Sequence, residues 1–241
     1  MIAKIESRDA GRPVVAHRNP QPSTLNPKRA AFTLLEMLVV MGIIAILAAA
    51  SMVGYSRVVR SAKKGRTQEL VSNAATALTH ILSANNNTWP KSLLNRLTEG
   101  DGGILDEETS RVFVRFNTLG LSYNERDAKG EKGQGKVRLT GKDRCGVVDA
   151  EAEAILKRSR SATAGTKVPS SGKTIKEHTL HFAIDVDGDG VTEASVDGAD
   201  GTLKIRATAV VWAAGPDGKV DYSSRGRNDD VYSWRPSQEV K

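Results

Sequence analysis

One acid inside a long apolar run constrains this chain more than any other feature. Phe32 to Gly54 reads FTLLEMLVVMGIIAILAAASMVG, and Glu36 is its single charge. As a helix the run is roughly 35 Å long, enough to cross a bilayer. A carboxylate in such a segment costs about 2.5–3.5 kcal/mol near the centre and less toward an end. It is retained only for a function, and that function calls for a positive partner.

The residues upstream point to one. Lys28-Arg29-Ala30-Ala31-Phe32-Thr33-Leu34-Leu35-Glu36 resembles the processing site of type IV pilins and type II secretion pseudopilins. The resemblance implies cleavage between Ala31 and Phe32, N-methylation of Phe32, and assembly through Glu36. As the fifth residue of the mature chain, Glu36 would pair with the Phe32 ammonium of a neighbouring copy. The family usually has Gly before the cut, where this chain has Ala31. The rival reading is a signal peptide cleaved after Ala50, since Ala48-Ala49-Ala50-Ser51 fits an A-x-A site. A charged Glu36 within the apolar region and 31 residues upstream of Phe32 are unusual for a signal peptide.

The expected organisation has three parts. Residues 1–31 form a proline-containing leader, removed on processing. Residues 32–54 are the membrane and assembly half of the N-terminal helix. Residues 55–241 are an exported head domain that includes the second half of that helix. Of the net charge of +7, the leader carries +4, so the mature chain is mildly basic. Arg57, Arg60, Lys63, Lys64 and Arg66 closely follow the span, while Lys28 and Arg29 immediately precede it. Charge alone therefore leaves the orientation open or reversed. The resemblance implies a bacterial inner-membrane protein with one span and its C-terminal domain in the periplasm.

Past Tyr55 the apolar stripe continues through Val58, Val59, Ala62, Leu70, Val71, Ala74, Ala75, Leu78, Ile81 and Leu82. Spacings of three and four predict one helix from Phe32 to about Ala84, stopped by Asn85-Asn86-Asn87 and Trp89-Pro90. Farther on, alternation predicts a strand over Arg111–Phe116. A Gly/Lys-rich loop is expected over Lys129–Lys142, a short helix over Asp149–Arg160 and a linker over Ser161–Lys173. Strands are expected over Thr179–Ile184 and Leu203–Trp212. The fold class is α+β and pilin-like: a long N-terminal helix packed on a small antiparallel sheet.

Two acidic turns are candidate calcium sites. Asp185-Val186-Asp187-Gly188-Asp189-Gly190 spells the first half of a calcium loop, with carboxylates at positions one, three and five. Glu193 stands at position nine, and Val196 replaces the acid of position twelve. The second set is Asp217, Asp229 and Asp230, with Asp221 nearby. Here Gly215-Pro216-Asp217-Gly218 and Asn228-Asp229-Asp230 resemble the calcium-binding tail of major pseudopilins. The plain alternative for both is an Asp/Gly turn.

No enzyme is expected. The chain has no Gly-x-Ser-x-Gly, phosphate loop or His-rich metal motif. His178 and His181 flank a strand start and are expected at the surface. The lone Cys145 is expected to be an ordinary small residue near a turn, and it rules out the internal disulfide that closes the C-terminal loop of many adhesive pilins. The Lys157-Arg158-Ser159-Arg160 cluster lacks stacking aromatics, so nucleic acid is not an expected partner. The resemblance implies a type II secretion pseudopilin. Its partners would be copies of itself, other pseudopilins, a prepilin peptidase and an inner-membrane assembly platform. The alternatives are a type IV pilus or DNA-uptake minor pilin, or a secreted calcium-binding domain.

Overall fold

In the computed structural model, residues 33–98, 103–121, 139, 141–222 and 229–240 are described. The leader 1–31, the cleavage pair Ala31 and Phe32, and most of the predicted loop 129–142 lie outside them. The chain divides into two units, residues 1–50 and 51–241.

The first unit is the start of helix α1, which runs Leu34–Ala84. From Thr33 through Ala50 every residue is exposed. Among the described residues, α1 is the one helix long and apolar enough to cross a membrane. Its apolar surface has no protein cover in the single chain.

In the second unit, α1 changes character. Val71, Ala74, Ala77, Leu78 and Ile81 are buried along one face, the three-and-four spacing that marks a helix docked on a core. The helix ends where expected. Asn86 and Asn87 take left-handed backbone angles (φ 55° and 54°), which asparagine tolerates better than most residues. Asn87 N–H caps the Leu82 carbonyl at 2.9 Å. Trp89 then turns inward, and its indole N–H donates to the carbonyl of Asp185.

Two short helices follow, α2 (Lys91–Thr98) and α3 (Glu107–Arg115). The second corrects the strand expected over Arg111–Phe116. Asp106 is its N-cap, accepting from Thr109 N–H at 3.0 Å. Glu107 and Glu108 occupy the first turn and Arg115 the last, the charge order that the helix dipole favours. Thr109, Ser110, Val112 and Phe113 are buried together, a pattern no two-residue period produces.

Helix α4 (Ala150–Arg158) matches the expectation, capped by Asp149. The stretch Ser161–Lys173 is not a linker. Val168 is fully buried, and with Ala162, Ile175, Leu156, Ala152, Val148 and Cys145 it makes a separate apolar cluster. Polar composition concealed a loop pinned by two small apolar anchors.

The sheet expected against the helix is present. Strands β1 (His181–Ile184), β4 (Ala209–Ala213) and β5 (Val231–Tyr232) pair antiparallel in the order β1-β4-β5. A separate hairpin joins β2 (Thr192–Ser195) to β3 (Thr202–Ile205). The strand expected over Leu203–Trp212 is thus two strands in two sheets. The break falls at Arg206–Thr208, whose groups bond elsewhere: Arg206 N–H to Gln238 O, and Thr208 O from Asp185 N–H. Alternation along β1 and β4 sorts two cores. Phe182, Ile184, Val211 and Ala213 face α1, α2 and α3, while Ala183, Val210 and Trp212 face the hairpin, Trp234 and the C-terminal residues. The fold class is the expected α+β, a long N-terminal helix followed by small antiparallel sheets.

Contacts between α1 and α4 use two of the five cations that follow the apolar run. Lys63 Nζ lies 2.8 Å from Glu151 Oε1, and Arg66 reaches both Glu69 (2.7 Å) and Glu153 (3.5 Å). The Ala150 N–H donates to Thr67 Oγ1 at 3.2 Å.

Candidate functional site

The start of α1 is held by a reciprocal cap. Glu36 N–H donates to Thr33 Oγ1 at 3.2 Å, and the Glu36 carboxylate accepts from Thr33 N–H at 2.9 Å and Thr33 Oγ1 at 3.1 Å. This is a capping box, which satisfies two of the N–H groups that a helix start leaves unpaired. Sequence reading found Glu36 but missed this local role. The spelling Thr-x-x-Glu before an apolar run was the available signal. In the single chain, then, the acid has a partner within its own first turn, and its carboxylate sits among exposed apolar side chains.

The Asp185–Gly190 turn converges as the spacing suggests. Ligand oxygens of Asp185, Asp187 and Asp189 all lie within 4.8 Å of one another. Asp185 is buried and organises the turn: its Oδ1 accepts from Gly188 N–H (2.7 Å) and its Oδ2 from Gly190 N–H (2.8 Å). Both glycines have positive φ, 79° and 83°, which lets the chain wrap around one carboxylate. Asp187 and Asp189 are exposed. With Asp185 they offer hard oxygens of the kind a calcium-sized cation takes. Glu193 does not join them; it pairs with Lys204 across β2 and β3 at 2.9 Å. Those acids hold the Lys204 ammonium above its ordinary pKa, chiefly through the hydrogen bond and charge of Glu193. Val196 is buried, so position twelve supplies no ligand.

The second acidic set is differently used. Among the described residues, Asp217, Asp229 and Asp230 do not form such a converging group. The Asp230 carboxylate closes the C-terminal loop, accepting from Gly215 N–H (2.8 Å), Asp221 N–H (2.7 Å) and Tyr232 O–H (2.9 Å). Burial pushes its pKa up, opposed by those three hydrogen bonds. Asp217 turns back on Lys219 N–H at 2.9 Å. Asp217 and Asp229 share a cleft with Arg60 and Lys63 of α1.

His178 is not at the surface, contrary to expectation, and His181 is half-buried. His181 stacks on Trp212 with ring centroids 5.6 Å apart, and burial lowers its pKa. The His178 side chain is fully buried. Its Nδ1 lies 2.6 Å from Asp149 Oδ2, and its Nε2 2.7 Å from Ser171 Oγ. Asp149 Oδ1 meanwhile caps α4 through Ala152 N–H. Serine, imidazole and carboxylate stand in the order of a hydrolytic triad. The amides after the serine are consumed, however: Gly172 N–H by Val168 O, and Lys173 N–H by Ser171 Oγ itself. Without those donors an oxyanion has no support there. The relay reads as a polar clasp joining α4, the 161–175 loop and β1. Cys145 is buried and free, and desolvation raises its thiol pKa, the state of an inert structural cysteine.

Comparison with known families gives one match: the model described as the prokaryotic N-terminal methylation motif fits residues 26–52. It spans the basic boundary, Thr33, Glu36 and the exposed half of α1, and it is characteristic of the type IV pilin and pseudopilin family. No curated protein and no solved structure matches the chain.

Proposed function

We propose that this chain, bearing the N-terminal methylation motif of pilins and pseudopilins, is a pseudopilin of a type II secretion pseudopilus. A prepilin peptidase would cut it before Phe32 and release an N-terminal helix that assembles with copies of itself and other pseudopilins. The observation that carries this reading is the coincidence of motif and structure. The matched residues run into a helix that is exposed throughout as far as Ala50 and carries one acid in its first turn. Such a surface requires lipid or other helices. A structural, non-catalytic role accords with the clasp at His178.

The secretion branch is favoured over an adhesive pilus by the C-terminal loop. It is closed by the Asp230 carboxylate, not by a disulfide, and the chain has a single cysteine. The remaining reading within the class is a minor pilin of a pilus or DNA-uptake system. Deleting the gene and assaying exported enzymes, twitching and transformation separates the two. Loss of export alone is the expected result.

Processing is tested by mass spectrometry of membrane-extracted protein. The expected mature chain begins at methylated Phe32. A mature N-terminus at Ser51 would instead indicate a signal peptide.

Calcium is part of the proposal, with the Asp185–Asp189 turn as its site. An ion bound to the folded state alone adds about 2.7 kcal/mol at a hundredfold excess over Kd. For a chain of this size that is a rise in Tm of roughly 5–10 °C. The full chain in detergent is expected to melt higher in millimolar calcium and return with chelator. Asp187→Asn with Asp189→Asn should remove the rise, while Asp217→Asn with Asp229→Asn should leave most of it. The reverse pattern moves the ion to the C-terminal loop, and an unchanged Tm removes calcium from the proposal.

A further inference from the structure

Five cations follow the apolar run, an arrangement that charge-based orientation does not explain. The structure divides them. Lys63 and Arg66, farther along α1, are engaged by Glu151 and Glu153 of the same chain. Arg57 and Arg60, nearest the apolar run, make no hydrogen bond or ion pair with the described residues. With Lys64, Ser56, Ser61, Pro216 and Asp229 they line a cleft of about 490 Å³. Arg57, Arg60 and Lys64 stand at spacings of three and four, on one face of the helix. Arg57, Arg60 and Lys64 outnumber the carboxylates at this end of the helix, Asp229 in the cleft and Asp217 beside it, which leaves the cleft positive.

The position of the cleft along α1 identifies the anion. Arg57 and Arg60 lie about 7–12 Å of helical rise beyond Met52. That is headgroup depth for long, snorkelling side chains at the end of a membrane span. Tyr55, exposed two residues before Arg57, is the interfacial aromatic expected at that depth. A guanidinium fork matches two phosphate oxygens at once. We infer that the cleft bounded by Arg57, Arg60 and Lys64 binds the phosphate of an anionic phospholipid headgroup. This rests on the reading of residues 32–54 as membrane-spanning. A protein partner is the weaker occupant, because the cations placed to meet protein acids already meet them within the chain. Binding would fix the helix in depth and rotation before assembly, and a charge order unfavourable for export would be kept for that purpose.

The test is native mass spectrometry of the full membrane-extracted chain, exchanged into micelles carrying phosphatidylglycerol or phosphatidylcholine with the same acyl chains. Phosphatidylglycerol should be retained roughly tenfold more than phosphatidylcholine, a difference within the reach of two or three cations at an anionic surface. Arg57→Gln with Arg60→Gln should abolish that preference. Both side chains are exposed and unpaired among the described residues, so the variant should melt with the wild type. Arg158→Gln with Arg160→Gln, an equal charge change on an exposed helix end, should leave the preference intact.

Equal retention of the two lipids by the wild type overturns the inference, as does loss in the control variant. Displacement of the lipid by millimolar inorganic phosphate alone would make the site one for free phosphate, which also overturns it. Unchanged lipid preference in Arg57→Gln/Arg60→Gln, with loss of cross-linking between copies, would assign the cleft to a protein neighbour instead. Recovery of the wild type in the soluble fraction would fail the membrane reading itself, a result distinct from all of these.

Discussion

Glu36→Leu is expected to yield a chain that inserts and is cleaved before Phe32 but does not assemble. In the single chain, Glu36 closes a capping box with Thr33, so loss of assembly in this variant has two possible causes. Removing a cap costs about 0.5–2 kcal/mol. Removing one member of a buried ion pair costs about 3–5 kcal/mol, because the other charge stays buried and unpaired. Two further variants separate these. Glu36→Gln keeps an oxygen for the Thr33 N–H and loses the charge. Thr33→Ala loses the box and keeps the charge. If the carboxylate pairs with the Phe32 ammonium of the next copy, Glu36→Gln should reduce filaments about a hundredfold or more, as a 3 kcal/mol loss predicts. Thr33→Ala should reduce them only a few-fold. Filament yield by electron microscopy, with cleavage followed by mass spectrometry, reads both quantities. Wild-type assembly by Glu36→Gln would leave Glu36 as a cap and nothing more.

How far the residues alone carry the fold depends on whether a segment's period reflects one neighbour or two. Helix α1 was readable to within two residues at its start and at Ala84 at its end, because an unbroken apolar run leads directly into a stripe of three-and-four spacing and three asparagines stop it. Arg111–Phe116 misled because its alternating charges serve a helix instead of a strand face: Arg111 pairs with Glu107 one turn back, Arg115 stands in the last turn, and the adjacent Val112 and Phe113 are both buried. Leu203–Trp212 looked like one strand because its apolar residues are spaced by two through Ala209 and then continuous to Trp212, with no Gly or Pro to mark a break. The break at Arg206–Thr208 is set by hydrogen bonds to Gln238 and Asp185, partners distant in sequence. The Ser161–Lys173 stretch showed its polar residues and hid Ala162 and Val168.

The candidate sites divide along the same line. Glu36 and the Asp185–Asp189 turn are local: cap and carboxylate convergence both arise within six residues, and spacing exposes them. Asp217, Asp229 and Asp230 are spread over the C-terminal loop, and what they do depends on α1 and on Tyr232. The clasp at His178 draws Asp149 and Ser171 from separate segments. Its one sequence signal was Asp149 standing before Ala-Glu-Ala-Glu, an N-cap whose second oxygen is left over for another partner.

That second oxygen makes Asp149 the head-domain position with the largest expected loss. In Asp149→Ala, α4 loses its cap from Asp149 Oδ1 to Ala152 N–H, about 0.5–2 kcal/mol. His178 Nδ1, in a fully buried ring, loses its acceptor as well, and an unsatisfied buried donor costs about 1–3 kcal/mol. Together these approach half the stability of an ordinary domain, so a drop in Tm of roughly 5–15 °C is expected. Asp149→Asn keeps a capping oxygen and should lie between Ala and wild type. Ser171→Ala, at a partly exposed position, should cost about 1 kcal/mol or less. The order Asp149→Ala, then Asp149→Asn, then Ser171→Ala is the signature of a structural clasp, measured by circular dichroism of the full chain in detergent. A coupling between Asp149→Ala and His178→Ala in a double-mutant cycle should accompany it. If Ser171→Ala were as damaging as Asp149→Ala, the serine would be more than the outer end of the relay, and its chemistry would have to be reconsidered.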